Sequence, residues 1–292
     1  MEHLTAGERV AKHVNIFCLI VIALLCLFPF YYVVVISISP ESEVIRKGII
    51  WFPEKVAWSA YAEMINGKHG LLQAYQITIF RTVIGTLLNL LLTFMTAYPL
   101  SKKTLPGRSG FILFIVFTML FNGGLIPTYL VVQSMGLLDT VWALIIPGLI
   151  GTFYVIIMKS FFEQLPTEIG ESAMIDGAGE WQTMLRIVFP LTMPVMATVG
   201  LFYAVYHWNS YFDAVMYLND VSLHPLQVVL RNILLNVQMQ NTEISQFSDG
   251  NKVSMHSVKM AAVVLTTVPI LVVYPFIQKY FTKGVMLGSV KG

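Results

Sequence analysis

Charge is what this 292-residue sequence has least of. Asp, Glu, Lys and Arg make up 12% of it, against roughly 25% in soluble domains, and 56% of its residues are hydrophobic, which argues against an ordinary soluble fold. Cysteine is scarce too. Cys18 and Cys26 share one apolar run, about 12 Å apart along a helix, too far for a disulfide and without metal-ligand spacing, so both read as packing residues. The phosphate-cradling string GxxxxGK[ST] is missing: Gly67-Lys68 is followed by His69 and lacks the upstream glycine, so the chain has no means of hydrolysing ATP by itself. HExxH and GxSxG are absent and the six His are scattered singly; no enzyme, metal site or cofactor is expected in this chain. A net charge of +2, with basic residues spread among loops, speaks against a nucleic-acid partner.

What fills the sequence is apolar surface in six runs, near 14–38, 77–100, 110–132, 141–161, 192–213 and 259–281, each long enough for a hydrocarbon core of roughly 30 Å. Stretches such as LNLLLTFMTAY and AAVVLTTVPILVVYPF are apolar on consecutive residues, as spanning helices are and alternating barrel strands are not. The first run is too long for a signal-peptide core and has no small-x-small cleavage pattern before Pro40 and Glu41, so it is expected to remain as an anchor. The fold class expected is an all-α membrane protein with six transmembrane helices in one domain, 1–292.

Orientation follows from the compact loop SKKTLPGRS, whose Lys102, Lys103 and Arg108 meet no acid. This puts the loop, residues 162–191 and both termini in the cytoplasm, and 39–76, 133–140 and 214–258 outside. Arg46, Lys47, Lys55 and Lys68 run against that pattern, but their segment is long and also carries Glu41, Glu43, Glu54 and Glu63.

One polar module interrupts the apolar runs, ESAMIDGAGEWQTMLRIVFPLTMP from Glu171 to Pro194. After Pro166 and Thr167, residues 168–175 suit a short helix with Glu168 and Glu171 one turn apart and Ile169 and Ala173 on one face. Asp176-Gly177 supplies a stop, because glycine tolerates the positive φ that ends helices. A second helix follows with Trp181, Met184, Leu185 and Val188 as an apolar stripe, before Pro190 and Pro194 redirect the chain. The spacing predicts a helical hairpin at the inner membrane face. Interfacial helices are typically rich in Lys and Arg, so an acidic one points to a protein partner more than to lipid.

Glu171-Ser172-Ala173, Gly177, Ile187 and Pro190 resemble the EAA loop of binding-protein-dependent ABC importer permeases, with Ser172 and Phe189 standing where that pattern has Ala and Leu. The resemblance extends through FNGGLIPTYLVVQSMGLLDTVWALIIP, HWNSYFDAVMYLND, HPLQVVLRNIL and KYFTKGVMLGSVKG, which look like the carbohydrate-uptake, maltose-type branch, and within it like permeases for large oligosaccharides such as alginate or pectin fragments. It implies the type I ABC importer permease fold in a bacterial cytoplasmic (inner) membrane, half of a pore completed by a homologous permease as a heterodimer. It also implies two ATPase subunits that bind ATP and Mg, an extracytoplasmic sugar-binding protein, and coupling roles for Glu168, Glu171, Ala173, Asp176, Gly177, Ala178, Ile187 and Pro190.

The competing class is an ion-coupled secondary transporter, which handles its ion at buried ionisable or broken-helix sites. Candidates are few: Arg81 near the outer start of the second span, expected to snorkel, and Asp213 at the outer end of the fifth. Tyr203, Tyr206, His207, Ser210 and Asp213 lie within three turns of the fifth span. They suit a sugar-facing pore surface, or, with Trp208 and Tyr211, an interfacial aromatic belt. Leu226, Leu230, Ile233, Leu234 and Val237 recur at helical spacing, and QMQNTEISQFSDGNK after them reads as a flexible external loop, 238–257 being either a contact for the binding protein or a solvated connector. Pro29, Pro99, Pro127, Pro147 and Pro275 fit hinges and static kinks equally.

Overall fold

A computed structural model describes residues 6–66, 70–243 and 255–289. Every regular element among the described residues is helical. In chain order these are α1 (Ala6–Ser37), α2 (Glu41–Lys47), α3 (Ser59–Asn66), α4 (Leu71–Ser101), α5 (Arg108–Leu120), α6 (Leu125–Ser134), α7 (Thr152–Phe162) and α8 (Thr167–Ile175). There follow α9 (Glu180–Gln182), α10 (Phe189–Leu191), α11 (Met193–Asn209), α12 (Phe212–Tyr217), α13 (Leu226–Glu243) and α14 (Met255–Ser289). Short 3-10 turns cover Val141–Leu144 and Ile146–Gly148.

Three helices, Gly7–Ser37, Leu71–Ser101 and His256–Val273, are long and apolar enough to cross a membrane unbroken. The other expected spans are bent. Arg108–Leu120 meets Leu125–Ser134 at 113°, Val141–Gly148 meets Thr152–Phe162 at 49°, and Glu180–Leu191 meets Met193–Asn209 at 78°, so among the described residues there are three candidate spans, or up to six if each bent pair is one. The runs expected as continuous helices at 110–132, 141–161 and 192–213 are therefore interrupted. The reason is local backbone chemistry. Gly124 holds φ 90°, with Asn122 Oδ1 accepting from its N–H at 2.8 Å, Pro147 sits inside a 3-10 turn, Thr192 at φ -95° and ψ 2° stands at the bend before α11, and Ser210 adopts extended geometry that ends α11 short of residue 213.

Contacts divide the chain into two compact units, Met1–His69 with Leu230–Pro269, and Gly70–Val229 with Ile270–Gly292. In the first, most of α1 presents apolar side chains outward, Phe17, Leu24 and Leu25 each more than 60% exposed, which suits lipid. Cys18 and Cys26, expected to pack, are exposed on this helix. Its C-terminal end is buried: Val35 and Ile36 pack on Ile50, with Met260 against them. Glu43, also buried, accepts from the Glu54 N–H with both carboxylate oxygens at 3.0 Å and pairs with Lys47 at 3.2 Å, while Glu54 takes Arg46 at 2.7 Å and Lys47 at 2.8 Å. Arg46 and Lys47 are thus paired with acids of their own segment.

The second unit is built around α4. Thr78, Arg81, Asn89 and Thr93 are all fully buried and lie with Gly85 at three- and four-residue spacing, a polar stripe on an otherwise apolar helix. Its C-terminal half joins an apolar core with Val155, Met158 and Phe162 of α7 and Val195, Met196, Val199 and Tyr203 of α11. At Gly85 the helices approach so closely that an added Cβ would sit 2.5 Å from His207 Nε2, and that ring is held by a 2.6 Å hydrogen bond to Asn89. Gly85→Ala is expected to cost about 1–3 kcal/mol through overpacking, whereas Gly110→Ala, with nothing within 4 Å of the added carbon, is expected to be neutral or slightly stabilising. Detergent-titrated unfolding of the two variants checks this difference.

Candidate functional site

The predicted hairpin is present. α8 runs from Thr167 to Ile175, with Glu168 in its first turn, where acidic side chains favour the helix dipole. Its end closes in two crossed hydrogen bonds, Ala178 N–H to Ala173 O at 2.9 Å and Gly177 N–H to Met174 O at 3.0 Å, with Gly177 at φ 77°. That pairing is a Schellman cap. It explains four of the singled-out positions together: Ala173 is the small residue buried beneath the turn, Asp176 ends the helix, Gly177 takes the left-handed conformation, and Ala178 returns the second bond. Glu168 and Glu171 are exposed beside Met174 (58%) and Ile175 (86%).

The second half differs from its expected form. Between α9 and α10, Thr183–Val188 is a π-helix. Pro190 offers no N–H to the Arg186 carbonyl, which favours the wider register. The widening splits the expected stripe: Met184 and Val188 are buried, while Trp181 and Leu185 are 64% and 55% exposed. Ile187 is half-buried and Pro190 exposed.

This hairpin is tied to the preceding loop. Lys102 Nζ lies 4.0 Å from Glu180, and Arg108 pairs with Glu163, which also takes Lys159 at 2.9 Å. The reading of Lys102 and Arg108 as meeting no acid is therefore corrected, since their partners lie in the next polar segment, and residues 101–109 and 162–191 lie on the same side of the unit.

Of the five residues suited to a pore surface, only Tyr206 (52% exposed) is open. Tyr203 is buried, its hydroxyl 2.8 Å from Thr93 Oγ1 and accepting from the Gly151 N–H at 3.1 Å. His207 is buried against Asn89 Oδ1; because the Asn89 amide donates to Gly148 O (2.7 Å) and Leu149 O (2.8 Å), its oxygen accepts and His207 Nε2 carries the hydrogen. Ser210 donates to Asp213 at 3.0 Å, and Asp213 pairs with Arg81. Arg81 does not snorkel: it is fully buried and also donates to Ser210 O at 3.2 Å and Leu144 O at 3.3 Å. Asn89, Thr93 and Gly85 escaped the sequence reading, although their spacing with Thr78 and Arg81 was a usable signal. Asp213 also lines a concavity of about 340 Å³, together with Asn122, Thr128, Phe212, Met216 and Tyr217.

A second clasp joins two loops. Asp139, at φ 54°, accepts from the Asn219 N–H, from Asn219 Nδ2 at 3.1 Å and from the Asp220 N–H at 3.1 Å. The Asn219 side chain first, then these backbone donors, hold its carboxyl below the ordinary aspartate value. Residues 238–243, expected as flexible loop, continue helix α13 to Glu243; 244–254 lie outside the described residues.

Bent apolar helices around a buried polar stripe, with an exposed polar hairpin at one end, fit a helical membrane protein. The chain belongs to the family described as binding-protein-dependent transport system inner membrane component, matched over residues 70–287. It is 43% identical over 274 residues to the polygalacturonan/rhamnogalacturonan transport system permease protein YtcP of Bacillus subtilis (strain 168), covering 94% of this chain and 96% of that one. Protein LplC of the same organism is 43% identical over 290 residues, covering 99% and 98%. A crystal structure of a bacterial ABC transporter involved in the import of the acidic polysaccharide alginate contains a chain that matches with TM-score 0.85 at 32% identity, over 96% of this chain and 100% of that one.

Two outcomes follow. Asp213→Ala leaves the buried Arg81 guanidinium without its counter-charge and is expected to cost about 3 kcal/mol, much of which Arg81→Met in the same chain recovers; unfolding of the single and double variants in detergent measures both. The Asp139 clasp, whose carboxyl is depressed in the folded state, is held above the ordinary aspartate pKa of 3.8 and lost as pH falls through the folded value. Acidification through that range is expected to lower the protection of the Asn219 and Asp220 amides, measured against their intrinsic exchange rates, in the wild type and not in Asp139→Asn.

Proposed function

We propose that this chain is the permease subunit of an ATP-driven importer of sugar oligomers, with acidic polysaccharide fragments as the substrate class. The observation that carries the reading is the exposed hairpin. Its Schellman turn at Gly177 is rigid, Met174 and Ile175 are uncovered at its tip, Glu168 and Glu171 stand beside them, and ion pairs fasten its base to the loop after α4. Family membership, the naming of YtcP for polygalacturonan and rhamnogalacturonan, and the alginate importer support the substrate class.

In this reading the hairpin, including Ile187 and Pro190, docks on a separate ATPase that binds ATP and Mg²⁺. A homologous permease completes the pore, and a sugar-binding protein delivers substrate from outside. The hairpin and both termini face the cytoplasm. ATP-driven closure moves the hairpin as a lever, and the pore helices follow because α10 continues into α11 across one bend. Tyr206 is the pore-facing side chain, while Tyr203, His207, Ser210 and Asp213 frame it.

The buried Arg81–Asp213 pair and the broken helices among the described residues are features that an ion-coupled carrier would also have. Purification and vesicle transport separate the two: the importer brings down an ATPase in fixed ratio, whereas the carrier transports without nucleotide. Gly177→Leu places a side chain at φ 77° and is expected to leave the protein in the membrane while lowering ATPase association about tenfold, given a strain of roughly 1–2 kcal/mol. Normal sugar-stimulated ATPase activity in that variant would remove the hairpin from coupling.

A further inference from the structure

Between the end of α4 and the second half of the hairpin lies a cavity of about 370 Å³, walled by Met95, Pro99, Leu105, Trp181 and Met184. Apolar contact joins the two elements beyond it: Phe94 meets the Phe189 ring edge-on at 5.6 Å, and Met184 and Val188 belong to the same core. Such contacts fix a distance and leave rotation and sliding free, because the hydrophobic effect has no direction. The Tyr98 hydroxyl, beside this void, donates to Glu180 Oε2 at 3.0 Å. Lys102 Nζ stands 4.9 Å over the Tyr98 ring and 4.0 Å from the same oxygen. The Tyr98 ring is buried between Phe94, stacked at 6.5 Å, and Phe162, edge-on at 6.1 Å, so its hydroxyl has little freedom to turn elsewhere.

We infer that Tyr98 and Glu180 are the positioning pair that locks the rotation of the hairpin to α4, so that hairpin displacement becomes displacement of the helix holding Asn89 and Arg81. The inference rests on the coupling role proposed for the hairpin and names the contact through which force enters the bundle. α4 is built to carry such a displacement, since Thr93, Asn89 and Arg81 continue along the same helix, about 8, 14 and 26 Å from Tyr98 at 1.5 Å per residue, and each grips α11, the segment after it or the broken stretch 144–149. Three residues beyond Glu180 begins the π-helical stretch Thr183–Val188, a widened piece of backbone. Glu180 is 64% exposed, so the pair is screened and its strength is that of a surface contact supported by one buried partner.

Tyr98→Phe tests this directly, because it keeps both ring contacts and removes only the donor. The assembly with its partner permease, ATPase and binding protein is reconstituted in vesicles, and uptake of radiolabelled galacturonan oligosaccharides is measured per ATP hydrolysed. The ratio is expected to fall about fivefold in Tyr98→Phe, within the range a lost hydrogen bond to a carboxylate allows, with ATPase co-purification and thermal midpoint unchanged. Glu180→Ala should fall alike, the double variant no further, and Glu180→Gln, whose amide oxygen still accepts from Tyr98, should stay near wild type. An unchanged ratio in Tyr98→Phe, or losses that multiply in the double variant, overturns the pairing. Wild-type uptake without nucleotide, or no ATPase bound, overturns the coupling reading itself and is seen before any variant is made.

Discussion

An apolar environment offers the backbone no water, so any carbonyl released where a helix breaks must find a partner inside the protein. Asn89 answers that constraint here. Its amide takes the carbonyls of Gly148 and Leu149 at the break before α7, and its oxygen holds His207 of α11, so one side chain joins three segments. Arg81 does the same for Leu144 and Ser210, and Tyr203 with Thr93 for the Gly151 N–H. Without the stripe on α4, the breaks at 149–151 and 210–211 would lose these partners, and burying a polar group unpaired is costly.

This explains which features were legible. Apolar runs and the Asp-Gly turn are local: composition over a short window or a dipeptide carries them, and the hairpin appears where its spacing predicts, including the positive φ of Gly177. Breaks within the runs were hidden because a hydropathy window averages over Gly123-Gly124 and Ser210, which change the backbone and not the mean. The Arg81–Asp213 pair spans 132 residues, and such a partnership has no local signature. What was visible, and went unread, is that Thr78, Arg81, Gly85, Asn89 and Thr93 share one face of an otherwise apolar helix.

The pore candidates show the same division. Periodicity placed Tyr203, Tyr206, His207, Ser210 and Asp213 on one broad face, but it could not say toward what. Their partners are on α4 and in the segment 144–151, and that fixes the face as interior to this unit. Tyr206 escapes because it stands one residue before His207, about 100° away around the helix, and so remains half exposed when its neighbour is covered.

The polar stripe also has a mechanical consequence. A purely apolar interface between α4, α7 and α11 would resist separation but yield to sliding, since dispersion contacts exchange partners at small cost. Hydrogen bonds at Thr93, Asn89 and Arg81 prevent that sliding over three successive levels, so the helices move together or a buried donor is exposed unpaired. At the end nearest the hairpin, α4 carries Tyr98, which bonds Glu180. The residues that satisfy the broken backbone are thus also those that make the bundle stiff. Satisfaction of the broken backbone and resistance to sliding come from one set of contacts.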